Sequence, residues 1–152
     1  MGILQGCLFY IGRALLSSVF LVSAVQELLN WQASEQVFFT NLTRWMNTVQ
    51  PGEVMAGFMA EIFAWMPWFF LACVVFKLIG SLLMILGYGV RLGALLLALF
   101  LIQDTLISHC FWSLPLAERS LEMGLFVKNL SILGGLFIVL ALDKRSVASK
   151  SV

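Results

Sequence analysis

Four long apolar stretches constrain this chain more than anything else in it. They run over about 3–29, 65–86, 90–108 and 124–142. A helix needs roughly 20 residues to cross the hydrocarbon core of a bilayer, and each stretch is close to that length or longer. Lipid offers no hydrogen-bond partner to a bare backbone, so such segments must satisfy their polar groups internally as helices. None shows the alternation of a lipid-facing barrel strand. Composition excludes the soluble alternative. Of 152 residues, 61% are hydrophobic and 11% charged, whereas a soluble domain carries about a quarter charged residues. The expected architecture is all-α: one integral membrane four-helix bundle over residues 1–143, followed by a basic tail over 144–152 that is expected to be disordered.

Four spans place both termini on one side. Arg91, Lys144, Arg145 and Lys150 fall there, while Glu35, Glu53, Glu61, Glu118 and Glu122 share the other side with Arg44, Arg119 and Lys128. The positive-inside rule then makes the termini cytoplasmic. Arg13, the apolar run to Val22 and Ser23-Ala24 loosely mimic a cleaved signal peptide. The long apolar lead before Arg13 argues against that reading. Leu4-Gln5-Gly6-Cys7 mimics a lipidation box but lacks a preceding hydrophobic region. The other two cysteines, Cys73 and Cys110, are scattered and read as buried small hydrophobes. With a net charge of +1 and no basic run, nothing points to nucleic acid.

The first outer loop holds an amphipathic segment over about 35–50. Phe38, Leu42, Trp45 and Val49 share one stripe, opposite Thr40, Asn41, Arg44 and Asn47. With Ser34 as its N-cap and Pro51-Gly52 as its stop, it reads as a helix lying in the outer membrane interface. Residues 54–68 lead into the second span, and Trp65, Pro67 and Trp68 resemble an interfacial belt. Asn41-Leu42-Thr43 is a chance match to a glycosylation sequon. The second outer loop is short and aromatic, from His109 to Met123. Gly80-Ser81, Gly87, Gly93 and Gly134-Gly135 offer small surfaces for close helix approach, and Gly87-Tyr88-Gly89 a tight turn.

Chemistry rests with the charges inside the membrane, because each costs about 2.5–3.5 kcal/mol at the bilayer centre unless it is paired or faces a cavity. Arg13 snorkels toward the cytoplasmic headgroups. Lys77 and Asp104 lie about 8 Å apart along the axis at 1.5 Å per residue, which makes an ion pair plausible. Glu27 and Lys128 share the outer edge and invite the same pairing. Two readings follow. Either these charges only lock packing, or Glu27, Lys77, Asp104, His109, Trp112 and Lys128 form a polar ligand pocket open to the outer face. His109 is the single histidine, so a bis-histidine haem within one chain is excluded. No ligand spacing with Cys110, Glu118 or Glu122 supports a metal.

Several stretches resemble the DoxX family of small four-helix bacterial membrane proteins. They are Ile11-Gly12-Arg13-Ala14-Leu15-Leu16 through Leu28, Lys77-Leu78-Ile79-Gly80-Ser81-Leu82-Leu83, Arg91-Leu92-Gly93-Ala94, His109 with Phe111-Trp112, Lys128-Asn129-Leu130 and Gly134-Gly135. That family usually carries Lys at the position of Glu27 and Glu at that of Lys77. Reversal of both signs together suggests that the two residues sense each other, although they differ in depth by about 10 Å. The resemblance implies a bacterial inner membrane and a link to redox or quinone metabolism. Three functions compete. The first is an accessory or scaffold subunit of a membrane complex, not catalytic on its own, with another membrane protein as its partner. The second is a quinone-linked oxidoreductase component, with quinone as its cofactor, His109 and Asp104 handling protons, and Phe111 or Trp112 against the ring. The third is a small-molecule carrier acting as an oligomer.

Overall fold

A computed structural model describes residues 3–49, 57, 61 and 64–148. The chain is all-helical, with no strand among the described residues. Its helices are α1 (Ile3–Leu29), α2 (Trp31–Val49), α3 (Met66–Leu86), α4 (Val90–Ser108) and α5 (Leu116–Ala148), with a 3₁₀ turn at Phe111–Ser113 before α5. Four of them, α1, α3, α4 and α5, are long and apolar enough to cross a membrane, with mean hydropathy between 1.8 and 2.5. Large apolar side chains such as Ile11, Leu15, Phe76, Leu99, Leu106 and Ile138 point outward from all four. That arrangement is unstable in water and ordinary in lipid.

The four spans alternate in direction, with α3 and α4 as the central hairpin. Pro67 in the first turn of α3 costs no hydrogen bond, since that N–H has no helical acceptor. Gly87 ends α3 at φ 84° and donates its N–H to Leu83 O at 3.1 Å, and Gly89 starts α4 at φ 66°. Left-handed backbone of this kind is open to glycine at little cost. Near the turn of the hairpin the two backbones touch. A Cβ on Gly93 would stand 2.7 Å from the Gly80 carbonyl oxygen. Lipid tails are as apolar as leucine, so helix association here rests on close packing. Phe20, Met84, Leu97, Leu101 and Leu136 fill the space among α1, α3, α4 and α5.

Four expectations need correcting. Ser34 does not cap α2; its N–H bonds to Asn30 O at 3.0 Å, and Asn30 N–H to Gln26 O, so α1 runs into α2 through a one-residue turn. The apolar stripe of α2 does not turn to lipid. Leu42, Met46 and Phe38 pack on Met66 and Ile107, and Trp31 and Phe38 reach Phe70 and Val74. A stripe that can bury on the ends of its own spans gains closer contacts there than in a fluid interface. The last span starts eight residues early, at Leu116 rather than 124, because Pro115 opens a helix whose first carbonyl bonds lead to Glu118 and Arg119. The tail is helical as far as Ala148, while 149–152, like Pro51-Gly52, lie outside the described residues.

Candidate functional site

The charged centre of the bundle is built by helix direction. In a helix each side chain leans toward the N-terminus. Because α1 and α3 are antiparallel, Glu27 leans down into the bundle and Lys77 leans up toward the end that carries α2. The two close a gap that residue counting puts at about 10 Å, and Lys77 Nζ pairs with Glu27 Oε1. Ser23, one turn below Glu27, donates to the same Oε1 at 3.2 Å and lies 3.4 Å from Lys77 Nζ. The ammonium also sits 4.8 Å from the centroid of the Phe100 ring, a favourable cation–π position. Lys77 is 2% exposed. Its partner is therefore Glu27, not Asp104. The shorter aspartate side chain stays on α4, accepting from Ser108 Oγ at 3.0 Å.

Above this pair lies an open-sided cavity of about 280 Å³, covered by α2. Glu27 and Asp104 supply carboxylates to its wall, and Ser34, Asn41 and Ser108 supply hydroxyl and amide groups. Phe38 and Phe70 add an aromatic wall, their rings packed on each other with centroids 5.5 Å apart. Glu27 Oε2 is buried with no hydrogen-bond partner among the described residues. Beside the site, Gln103 Nε2 donates to Cys73 Sγ at 3.5 Å, and Asn129 Nδ2 to Thr105 Oγ1 at 3.1 Å, which ties α5 to α4.

Of the six residues read as a ligand pocket, the structure brings together Glu27, Lys77 and Asp104. The other three lie elsewhere. His109 Nδ1 is 2.7 Å from Glu122 Oε2, in a separate contact between the end of α4 and the start of α5. Trp112 packs edge-on against Phe111 and Phe126. Lys128 is exposed on α5, and Glu27 is already held by Lys77. His109 and Asp104 therefore do not share a site. A further eight residues, Ser23, Ala33, Ser34, Val37, Phe38, Asn41, Phe70 and Ser108, belong to the site and are not among those six. The i, i+4 spacing of Ser23 and Glu27 was a legible signal. The α2 residues carry no such signal, because an interfacial helix and one packed on the span ends share the same apolar stripe.

At the opposite end, the Arg13 guanidinium lies over the Tyr10 ring at 5.2 Å and against the Gly87 turn, with Nη2 3.2 Å from where a Cβ would stand. These contacts brace the α3–α4 hairpin against α1. No group of three or more metal-ligating side chains occurs among the described residues.

Comparison with known proteins gives one match. The family model described as HR-like lesion-inducing matches residues 5–142. No curated protein and no solved structure matches the chain. The family match overturns the resemblance to DoxX. Apolar helices share residue types with one another whatever their ancestry, and two of the charged positions, Glu27 and Lys77, depart from the DoxX pattern. Matched over nearly its whole length, the chain belongs to the HR-like lesion-inducing family.

Proposed function

We propose that this chain is a multi-span membrane protein that binds a small polar molecule in the pocket between α2 and the ends of α1, α3 and α4, as a receptor or carrier subunit. The observation that supports this most is the buried Glu27 Oε2 on the wall of the cavity, which has no hydrogen-bond partner among the described residues. A buried carboxylate oxygen without a donor costs about 1–3 kcal/mol or more, and a bound molecule with a donor group recovers that energy. The charge distribution supports cytoplasmic termini, so the pocket opens on the far side of the membrane. The bacterial inner membrane and the redox link rested on the DoxX resemblance and lose their support with it. The family description names a lesion phenotype and no chemistry.

The test is purification in mild detergent followed by mass spectrometry of the small molecules that stay bound. The native protein should retain a molecule that Ser34→Trp, which fills the cavity, releases. An unchanged profile in Ser34→Trp would count against the pocket.

A second reading, an accessory subunit with a protein partner, draws on α5. Its 33 residues reach about 50 Å, against a hydrocarbon core of about 30 Å. The extension carries exposed Leu116 and Leu121. A stoichiometric protein that co-purifies with the native chain, and is lost from Leu116→Ser/Leu121→Ser, would favour this reading.

A further inference from the structure

We infer that the pocket selects a small organic cation, an ammonium compound of about ten heavy atoms or fewer. The inference rests on the pocket reading above and adds the chemistry of the ligand. Two formal negative charges, Glu27 and Asp104, line the cavity, and the positive Lys77 pairs with Glu27 beside it. Lys77 is committed, since its ammonium is held by Glu27 Oε1 and Ser23 and packs on Phe100. One negative charge is left over. Among the described residues, Asp104 receives a neutral hydroxyl from Ser108 and no ion pair, and Glu27 Oε2 receives no donor.

A net negative charge is costly so close to lipid unless a cation joins it. A proton would suffice for the charge alone. The walls ask for more than a proton. Phe38 and Phe70, packed on each other at 5.5 Å and 43°, form one aromatic wall of the same cavity, and an aromatic wall beside a carboxylate favours an ammonium group. Ser34 and Asn41 add hydrogen-bonding groups from α2 for a hydroxyl or carbonyl on the same ligand. A volume of about 280 Å³ sits at the lower edge of ligand pockets, which start near roughly 300 Å³. That size limits the ligand to a compact molecule. An anion would meet the two carboxylates and be excluded.

The experiment is isothermal titration calorimetry of the full chain in maltoside micelles, which contain no ammonium headgroup. Choline is the probe, and 3,3-dimethylbutan-1-ol is its neutral counterpart of the same shape. Choline should bind, and the neutral alcohol should bind at least about tenfold more weakly. Asp104→Asn can still accept from Ser108, so it should keep its melting temperature. It should weaken choline about tenfold, one such factor being about 1.4 kcal/mol. Equal binding of choline and the alcohol would overturn the cation inference and leave the pocket standing, as would an Asp104→Asn variant that binds choline normally. Absence of binding by both probes would overturn the pocket reading with it.

Discussion

Replacing Lys77 by methionine removes the ammonium while keeping an unbranched side chain of similar length. Breaking a buried ion pair by deleting one partner costs about 3–5 kcal/mol, because the remaining charge is left uncompensated. The Glu27 side chain is 22% exposed and lines a cavity, so the lower end applies, about 3 kcal/mol. That corresponds to a change of about 150-fold in the unfolding equilibrium. Unfolding in mixed micelles, followed by helical circular dichroism, measures it. The double variant Lys77→Met/Glu27→Gln removes both charges and should recover about 2 kcal/mol of the loss, since an interacting pair is non-additive. The exchanged variant Glu27→Lys/Lys77→Glu should also recover most of it. There the lysine leans down from α1 and the glutamate leans up from α3, so the same antiparallel geometry closes the pair. Additive single and double effects, or an exchanged variant as unstable as Lys77→Met, would refute the argument from helix direction.

Three further outcomes follow from packing. Gly93→Ala forces a methyl group to 2.7 Å from the Gly80 carbonyl oxygen and should cost about 1–3 kcal/mol by overpacking in the same unfolding assay. Gly134→Ala meets nothing within 4 Å and should be neutral or stabilising by up to about 1 kcal/mol through helix propensity. Leu42→Ala empties a buried position under α2. It should cost about 2–3 kcal/mol and raise hydrogen exchange in α2 while the spans stay protected.

The spans were legible because lipid imposes length and apolarity together. The span at 90–108 matches α4 end for end, and the one at 3–29 matches α1. Boundaries failed where the signal was not apolar. Leu116 to Met123 carries Glu118, Arg119 and Glu122 and reads as a loop, yet it continues the same helix. The Glu27–Lys77 pair was half legible, since both charges stand out in apolar helices. Counting residues along parallel axes then set them too far apart, because it ignores which way each side chain leans. The roof of the pocket was not legible. A stripe of Phe38, Leu42 and Trp45 carries the same sequence signature whether it meets lipid or the ends of α3 and α4, and only tertiary packing separates the two.

The central claim is that a polar cavity, reachable from water, lies between α2 and the span ends. Labelling of a single cysteine at Ser108 tests it most directly, in a background where Cys7, Cys73 and Cys110 are replaced by serine or alanine. A charged, membrane-impermeant thiol reagent should modify Ser108→Cys in sealed vesicles from the α2 side only, and adding Ser34→Trp should block the reaction. A cysteine that stays unreactive from both sides, or reacts equally with and without Ser34→Trp, would contradict the account.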